Sequence, residues 1–256
     1  MGAEDAPRLL FVAAYGPAVL WALLVALRAR RVSRGLAAAA FLWGALIAAP
    51  ISQHLAARWR LDPVATAPLI EEALKAAPLV LLAAARVAPF DLLVAAALAG
   101  FGFSAAENVQ YMALAAVQGG GLGLARAVYL RGLLQGLNHA VFTGAVAAGL
   151  GWARVARTAG MRALAPILGF GAAVGQHALW NGLGSGAVTG VLCNALARGG
   201  PCRDPDAVDL LVWIPLIVTG IIGPGALALL AAAHRAAERG QAGDAWVPWA
   251  PMRDDP

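Results

Sequence analysis

The chain has one lysine, Lys75, two cysteines, Cys193 and Cys202, and few charges of any kind, 13% of 256 residues. An ordinary soluble domain carries about a quarter charged residues, and this chain is also 61% hydrophobic with a mean hydropathy of +0.71, so a soluble globular surface is excluded. Strand-like alternation and internal repeats are also lacking, which argues against a barrel, a solenoid or the paired halves of many transporters. Two cysteines without His or Cys neighbours at zinc spacing do not form a zinc motif; if their loop faces an oxidising exterior they are expected to form a loop disulfide. The formal net charge of +5 does not point to nucleic acid, because the arginines gather at the ends of apolar runs, where they mark membrane topology.

What is present is a series of bilayer-length apolar runs. The first covers about 9–27 and stops at Arg28, Arg30, Arg31 and Arg34. With no small-residue cleavage site after it, this run is expected to stay as an anchor. Further spans are predicted at about 35–55, 67–86, 91–117, 127–152, 163–183 and 210–233. The basic clusters at 28–34, at Arg154, Arg157 and Arg162, and at His234, Arg235 and Arg239 then all fall on the cytoplasmic side. The expected fold is an all-α polytopic membrane bundle of about seven transmembrane helices, N-out and C-in. Residues 1–239 form one domain, and 240–256 a short cytoplasmic tail. Asp62 or Thr66 is placed to cap the third helix, and Gly119 to Gly123 are expected to form a flexible outer loop.

Polar residues inside these spans are the functional candidates, since each ionisable side chain at mid-membrane costs roughly 2.5 to 3.5 kcal/mol on insertion scales. Glu71, Glu72 and Lys75 lie in one stretch of the third span. Lys75 is one turn after Glu71 and within reach of Glu72, so one carboxylate is neutralised locally and the other faces elsewhere. The fourth span stacks Phe103, Glu107 and Tyr111 on one face with Asn108 beside them. The fifth carries Gln135, His139 and Thr143 as a stripe with Asn138 adjacent, and the sixth carries His177 and Asn181 one turn apart around Trp180. A lone Asn, Gln or Thr in such a helix is usually interhelical glue, whereas packing does not require two adjacent acids. Three glutamates and two histidines in a dry bundle suit peptide hydrolysis, either by carboxylate and imidazole acting on water or by a bound divalent metal that activates it. The residue types permit both. The Gly-rich runs join no strand to a helix and are not dinucleotide fingerprints.

The E-E-x-x-K of Glu71, Glu72 and Lys75, the F-x-x-x-E-N of Phe103, Glu107 and Asn108, the H-x-x-x-T of His139 and Thr143, and the H-x-x-W-N of His177, Trp180 and Asn181 together resemble the PrsW family of intramembrane proteases. A more distant resemblance extends to the CAAX-protease and bacteriocin-processing superfamily. The family-like core covers about 63–183. The resemblance implies a membrane peptidase in which Glu71, beside Glu72, acts as base on water, assisted by His139 or Glu107, with His177 and Asn181 binding the oxyanion and Lys75, Asn108 and Thr143 in support. It also implies a membrane-anchored protein substrate such as an anti-sigma factor, cleaved at the plasma membrane within the lipid bilayer. Family descriptions include a metalloprotease, which here would use Glu72, Glu107, His139 and His177 for Zn2+; the chain has no H-E-x-x-H, which favours the metal-free version. The superfamily also includes a non-catalytic assembly subunit of gamma-secretase, so a scaffold is the competing expectation, and an ion-coupled transporter a further one. At 1.5 Å per residue the acidic and histidine motifs lie roughly 9 to 16 Å from the outer helix ends, in the outer half of the bilayer, so the cut is expected near the extracytoplasmic face.

Overall fold

A computed structural model of the chain describes residues 5–29, 32–134, 136–156 and 158–184, and among these there are helices and no strands. The predicted seventh span, the tail, both cysteines and Gln135 lie outside the described residues. Helix α1 is Asp5–Arg28. Ser33 then caps α2, Arg34–Leu42, by accepting from the Leu36 amide at 3.1 Å. A π-helical turn, Trp43–Ala48, leads straight into α3, Ala49–Trp59. Pro50 has no N–H to donate, and the widened turn just before it absorbs that break in the ladder. Together α2, the π turn and α3 make the one rod predicted as the second span.

Asp62 shapes the entry to α4, Ala67–Ala84: its Oδ1 accepts from the Val64 and Ala65 amides at 2.9 and 2.6 Å. Thr66 holds the N-cap position but makes no side-chain cap; its hydroxyl donates to the Asp62 carbonyl at 3.1 Å. Helix α5 spans Pro89–Ala127, longer than predicted. The expected loop at 119–123 is instead a kink at Gly120, whose φ of 57° and ψ of −146° are open only to glycine. One residue absorbs the change of direction, and helix resumes on both sides. A second π-helical turn, Val128–Leu134, precedes α6, Gly136–Val155, and α7 is Ala159–Gly184.

Among the described residues three helical stretches, Arg8–Leu27, Arg34–Trp59 and Pro89–Ala127, are long and apolar enough to cross a membrane. They match the first, second and fourth predicted spans. Helix α4 carries Glu71, Glu72 and Lys75 in its 18 residues and reads as a span only if these are compensated from outside it. The burial pattern is that of a bundle in lipid. Glu72, Lys75 and Thr143 are fully buried, while Leu81 and Val117 are 72% and 85% exposed.

The core sits on α5, whose most apolar window is 72% buried, against 22% for α1. Glycines allow the close approach. A Cβ on Gly102 would strike the Phe41 carbonyl, one on Gly44 the Ala99 carbonyl, and one on Gly100 the carbonyl of His139. The last contact fixes α6 at the level of its histidine. Two tryptophans tie the outer helices to the polar ones. Pro78 leaves the Leu74 carbonyl without its i+4 donor, and the Trp43 indole donates to that carbonyl at 2.9 Å. Trp21 of α1 donates likewise to the Leu133 carbonyl at 3.1 Å. Trp43→Phe keeps an aromatic ring and removes the donor, so it should destabilise the folded bundle by about 1 to 3 kcal/mol in reversible unfolding in micelles. An unchanged unfolding free energy would mean that the Leu74 carbonyl does not depend on Trp43.

Candidate active site

Helix α4 begins only four residues before Glu71, so both glutamates stand near its positive end. Lys75 pairs with Glu72 rather than Glu71: Nζ lies 2.5 Å from Glu72 Oε1, and both side chains have zero exposure. Its ammonium also donates to His139 Nδ1 at 3.3 Å and rests over the Phe103 ring at 4.3 Å. Glu72 accepts two further bonds. His177 Nδ1 is 2.8 Å from Oε1, and the Thr143 hydroxyl donates to Oε2 at 3.3 Å. One carboxylate thus joins α4, α6 and α7, and each of its oxygens is engaged.

These contacts fix the imidazoles. An ammonium has only donors, so His139 Nδ1 is an acceptor, and Nε2–H donates to Glu107 Oε2 at 3.0 Å. His177 has the opposite tautomer: Nδ1–H donates to Glu72, leaving the Nε2 lone pair toward Glu71 Oε2 at 3.5 Å. The two rings meet edge to face at 5.1 Å, and Phe142 stacks on His177 at 4.9 Å. Glu71 is different from its neighbour. Its Oε2 is buried and has no hydrogen-bond partner among the described residues.

Glu107 and Asn108 meet a residue that the motifs do not include. Arg131, from the second π turn, donates through Nη2 to Glu107 Oε2 and through Nε to Asn108 Oδ1, both at 3.3 Å, and lies over the Tyr111 ring at 3.4 Å. Its sequence signal is an arginine four residues inside the start of the predicted fifth span. Treating the arginines as topology markers hides it. Asn181 is not drawn into the cluster: its amide donates to the Pro63 carbonyl at 2.9 Å, tying the end of α7 to the turn before α4. The side chain of Asn138 is buried, and neither polar atom has a partner among the described residues. The structure therefore brings together Glu71, Glu72, Lys75, Glu107, Asn108, His139, Thr143 and His177, and leaves Asn181 at the rim.

Of the four metal ligands expected, Glu72, His139 and His177 converge, with donor atoms within 4.8 Å of one another and all three residues buried. Glu107 is on the far side of His139. A carboxylate and two imidazoles form a donor set suited to catalytic zinc, and the Glu107 bond to the second His139 nitrogen is what a ligating histidine commonly has. The donors are compatible with Zn2+ in kind. Lys75 shares these groups: its ammonium contacts Glu72 Oε1 and His139 Nδ1, so an ion that took those two atoms would displace it.

A membrane-type helical bundle that buries paired acids and histidines of fixed tautomer defines a hydrolase-like intramembrane centre. The family described as PrsW family intramembrane metalloprotease matches residues 32–220, and the chain belongs to that family. It is accordingly an intramembrane protease by family, working on a membrane protein in a lipid environment. Comparison with curated proteins and with solved structures finds no match.

The buried pair gives a stability test. Glu72→Gln leaves the Lys75 ammonium without its counter-charge and should cost about 3 to 5 kcal/mol, whereas adding Lys75→Met removes the stranded charge and should restore most of that loss. Equal stability of the single and double variants in reversible unfolding would show that the two groups are not coupled.

Proposed function

We propose that the protein is an intramembrane endopeptidase that hydrolyses a peptide bond of a membrane-anchored protein near the extracytoplasmic face, with Glu71 activating the water. The observation that carries this reading is the unpartnered Glu71 Oε2, buried and facing the acceptor nitrogen of His177 at 3.5 Å. Two acceptors opposed in this way lack a donor, which a water beside Glu71 supplies. Glu72 and Glu107 are already engaged by donors on several sides, which makes them supports rather than bases.

In this mechanism the water oxygen bonds to the scissile carbonyl carbon while one water proton passes to Glu71. The carbonyl π electrons move onto oxygen. His177 Nε2 takes the proton that remains on the attacking oxygen as the tetrahedral species goes over to a carboxylate, and Glu72 at Nδ1 stabilises the imidazolium so formed. The tetrahedral species collapses as the C–N bond breaks, and Glu71 returns its proton to the leaving nitrogen. Products are a carboxylate and an amine. Asn181 acts on position, through Pro63, by keeping the His177 helix against the turn that leads to Glu71. The same bond supports the depth argument, since it sets the end of α7 level with the start of α4. The seven-span, N-out arrangement and cleavage toward the extracytoplasmic side are part of this proposal.

Wild-type and Glu71→Gln protein in liposomes, given a panel of single-span substrates and product mass spectrometry, test it. Wild type should cleave one bond on the extracytoplasmic side. Glu71→Gln should lose roughly 10² to 10⁴ in kcat while still inserting, since an amide is cheaper to bury than a carboxylate. Cleavage should survive chelation in a metal-free preparation. One bound zinc per chain together with loss of cleavage on chelation would instead assign the water to an ion at Glu72, His139 and His177, with Lys75 displaced. Full activity in Glu71→Gln removes the base.

A further inference from the structure

We propose that Arg131 is a positioning residue of this centre: it holds the Glu107 carboxylate so that it receives the His139 Nε2–H and keeps the His139 Nδ1 lone pair turned to Lys75. The inference rests on the reading above for its kinetic test only.

An arginine inside an apolar segment is costly unless it is compensated, and Arg131 has three compensating contacts. Its guanidinium bonds both Glu107 and Asn108 and lies flat on Tyr111. All three residues are on α5, about one helical turn or less apart, so the planar fork locks that face of the helix in a way that a point charge does not. The mount is rigid as well. Arg131 belongs to the π turn Val128–Leu134, whose Leu133 carbonyl is capped by Trp21 and whose Gly132 has no room for a Cβ beside Pro17. Such turns often occur at functional sites. Glu107 Oε2 accepts from Arg131 on one side and His139 on the other. The guanidinium therefore determines where the carboxylate can meet the imidazole. The chain of contacts continues from His139 through Lys75 to Glu72 and His177. Arg131 has no hydrogen bond to the groups proposed to handle water, and its bonded carboxylate is Glu107.

The test uses the full chain in liposomes with wild type, Arg131→Met, Arg131→Lys and Arg131→Ala, and two readouts. In kinetics, Arg131→Met should lower kcat by roughly ten- to a hundredfold, the size usual for partners that orient a site's ligands, at unchanged KM. Arg131→Lys should recover little, because an ammonium cannot bridge Glu107 and Asn108 in the same plane. Added guanidinium should restore part of the kcat of Arg131→Ala. The second readout needs no activity: in protein labelled with 15N at histidine, the His139 ring signals, assigned with His139→Gln, should move in Arg131→Met while those of His177 stay. If wild type cleaves nothing, the functional reading fails and the ring signals still decide this one. Unmoved His139 signals, an unchanged kcat in an active protein, or a change in KM alone overturn the proposal. Should Arg131→Met not accumulate, Arg131→Lys carries both readouts with the same criteria.

Discussion

An ammonium buried away from water must find acceptors on its exposed sides, and the arrangement of Lys75 between Glu72 and His139 sets the rest of this centre. The attraction of a fully buried pair offsets the large cost of removing both charges from water only when the remaining lone pairs are filled. Thr143 and His177 fill those of Glu72. That requirement brings α6 and α7 to α4, fixes which nitrogen of each imidazole carries the hydrogen, and leaves Glu71 with a buried oxygen 3.5 Å from His177 Nε2 that has no hydrogen-bond partner among the described residues. The different surroundings of the two adjacent acids thus follow from which of them the lysine selects.

The scaffold makes this possible by compensating backbone and charge wherever the polar helices depart from ideal. The Trp43 indole replaces the amide that Pro78 lacks, one turn from Lys75. Gly100 lets α5 touch the His139 carbonyl directly, so the imidazole is held by backbone contact as well as by hydrogen bonds. With large apolar side chains outside and ion pairs inside, the bundle has the polarity that membership of the PrsW family requires.

Much of this was legible in the sequence because ionisable residues in apolar runs are expensive and therefore conspicuous. Glu71, Glu72, Lys75, Glu107, His139 and His177 all stand out in this way, and helical spacing shows that Lys75 can neutralise one glutamate of the pair. Spacing does not say which, because i+3 and i+4 are both within reach; the choice is made by His177 and Thr143 on helices far along the chain. Arg131 was hidden because arginines near span ends read as topology signals, and a π turn that redirects one inward has no simple pattern. The Gly119–Gly123 run read as a loop, but a single residue at positive φ does that work. Asn181 shares a helical face with His177 yet lies one turn closer to the rim, where the Pro63 carbonyl engages it.

The central claim is that Glu72 acts by holding the centre together and Glu71 by moving a proton. Turnover of the Glu72→Gln, Lys75→Met double variant tests it most directly, because this change removes both buried charges together. The introduced amide retains an acceptor for His177, and the introduced thioether side chain retains the bulk of the lysine stem. The account predicts measurable cleavage at the same bond, reduced by no more than about a hundredfold, and none above background when Glu71→Gln is added. Complete inactivity of a folded double variant would contradict it and would make Glu72 itself a participant in the chemistry.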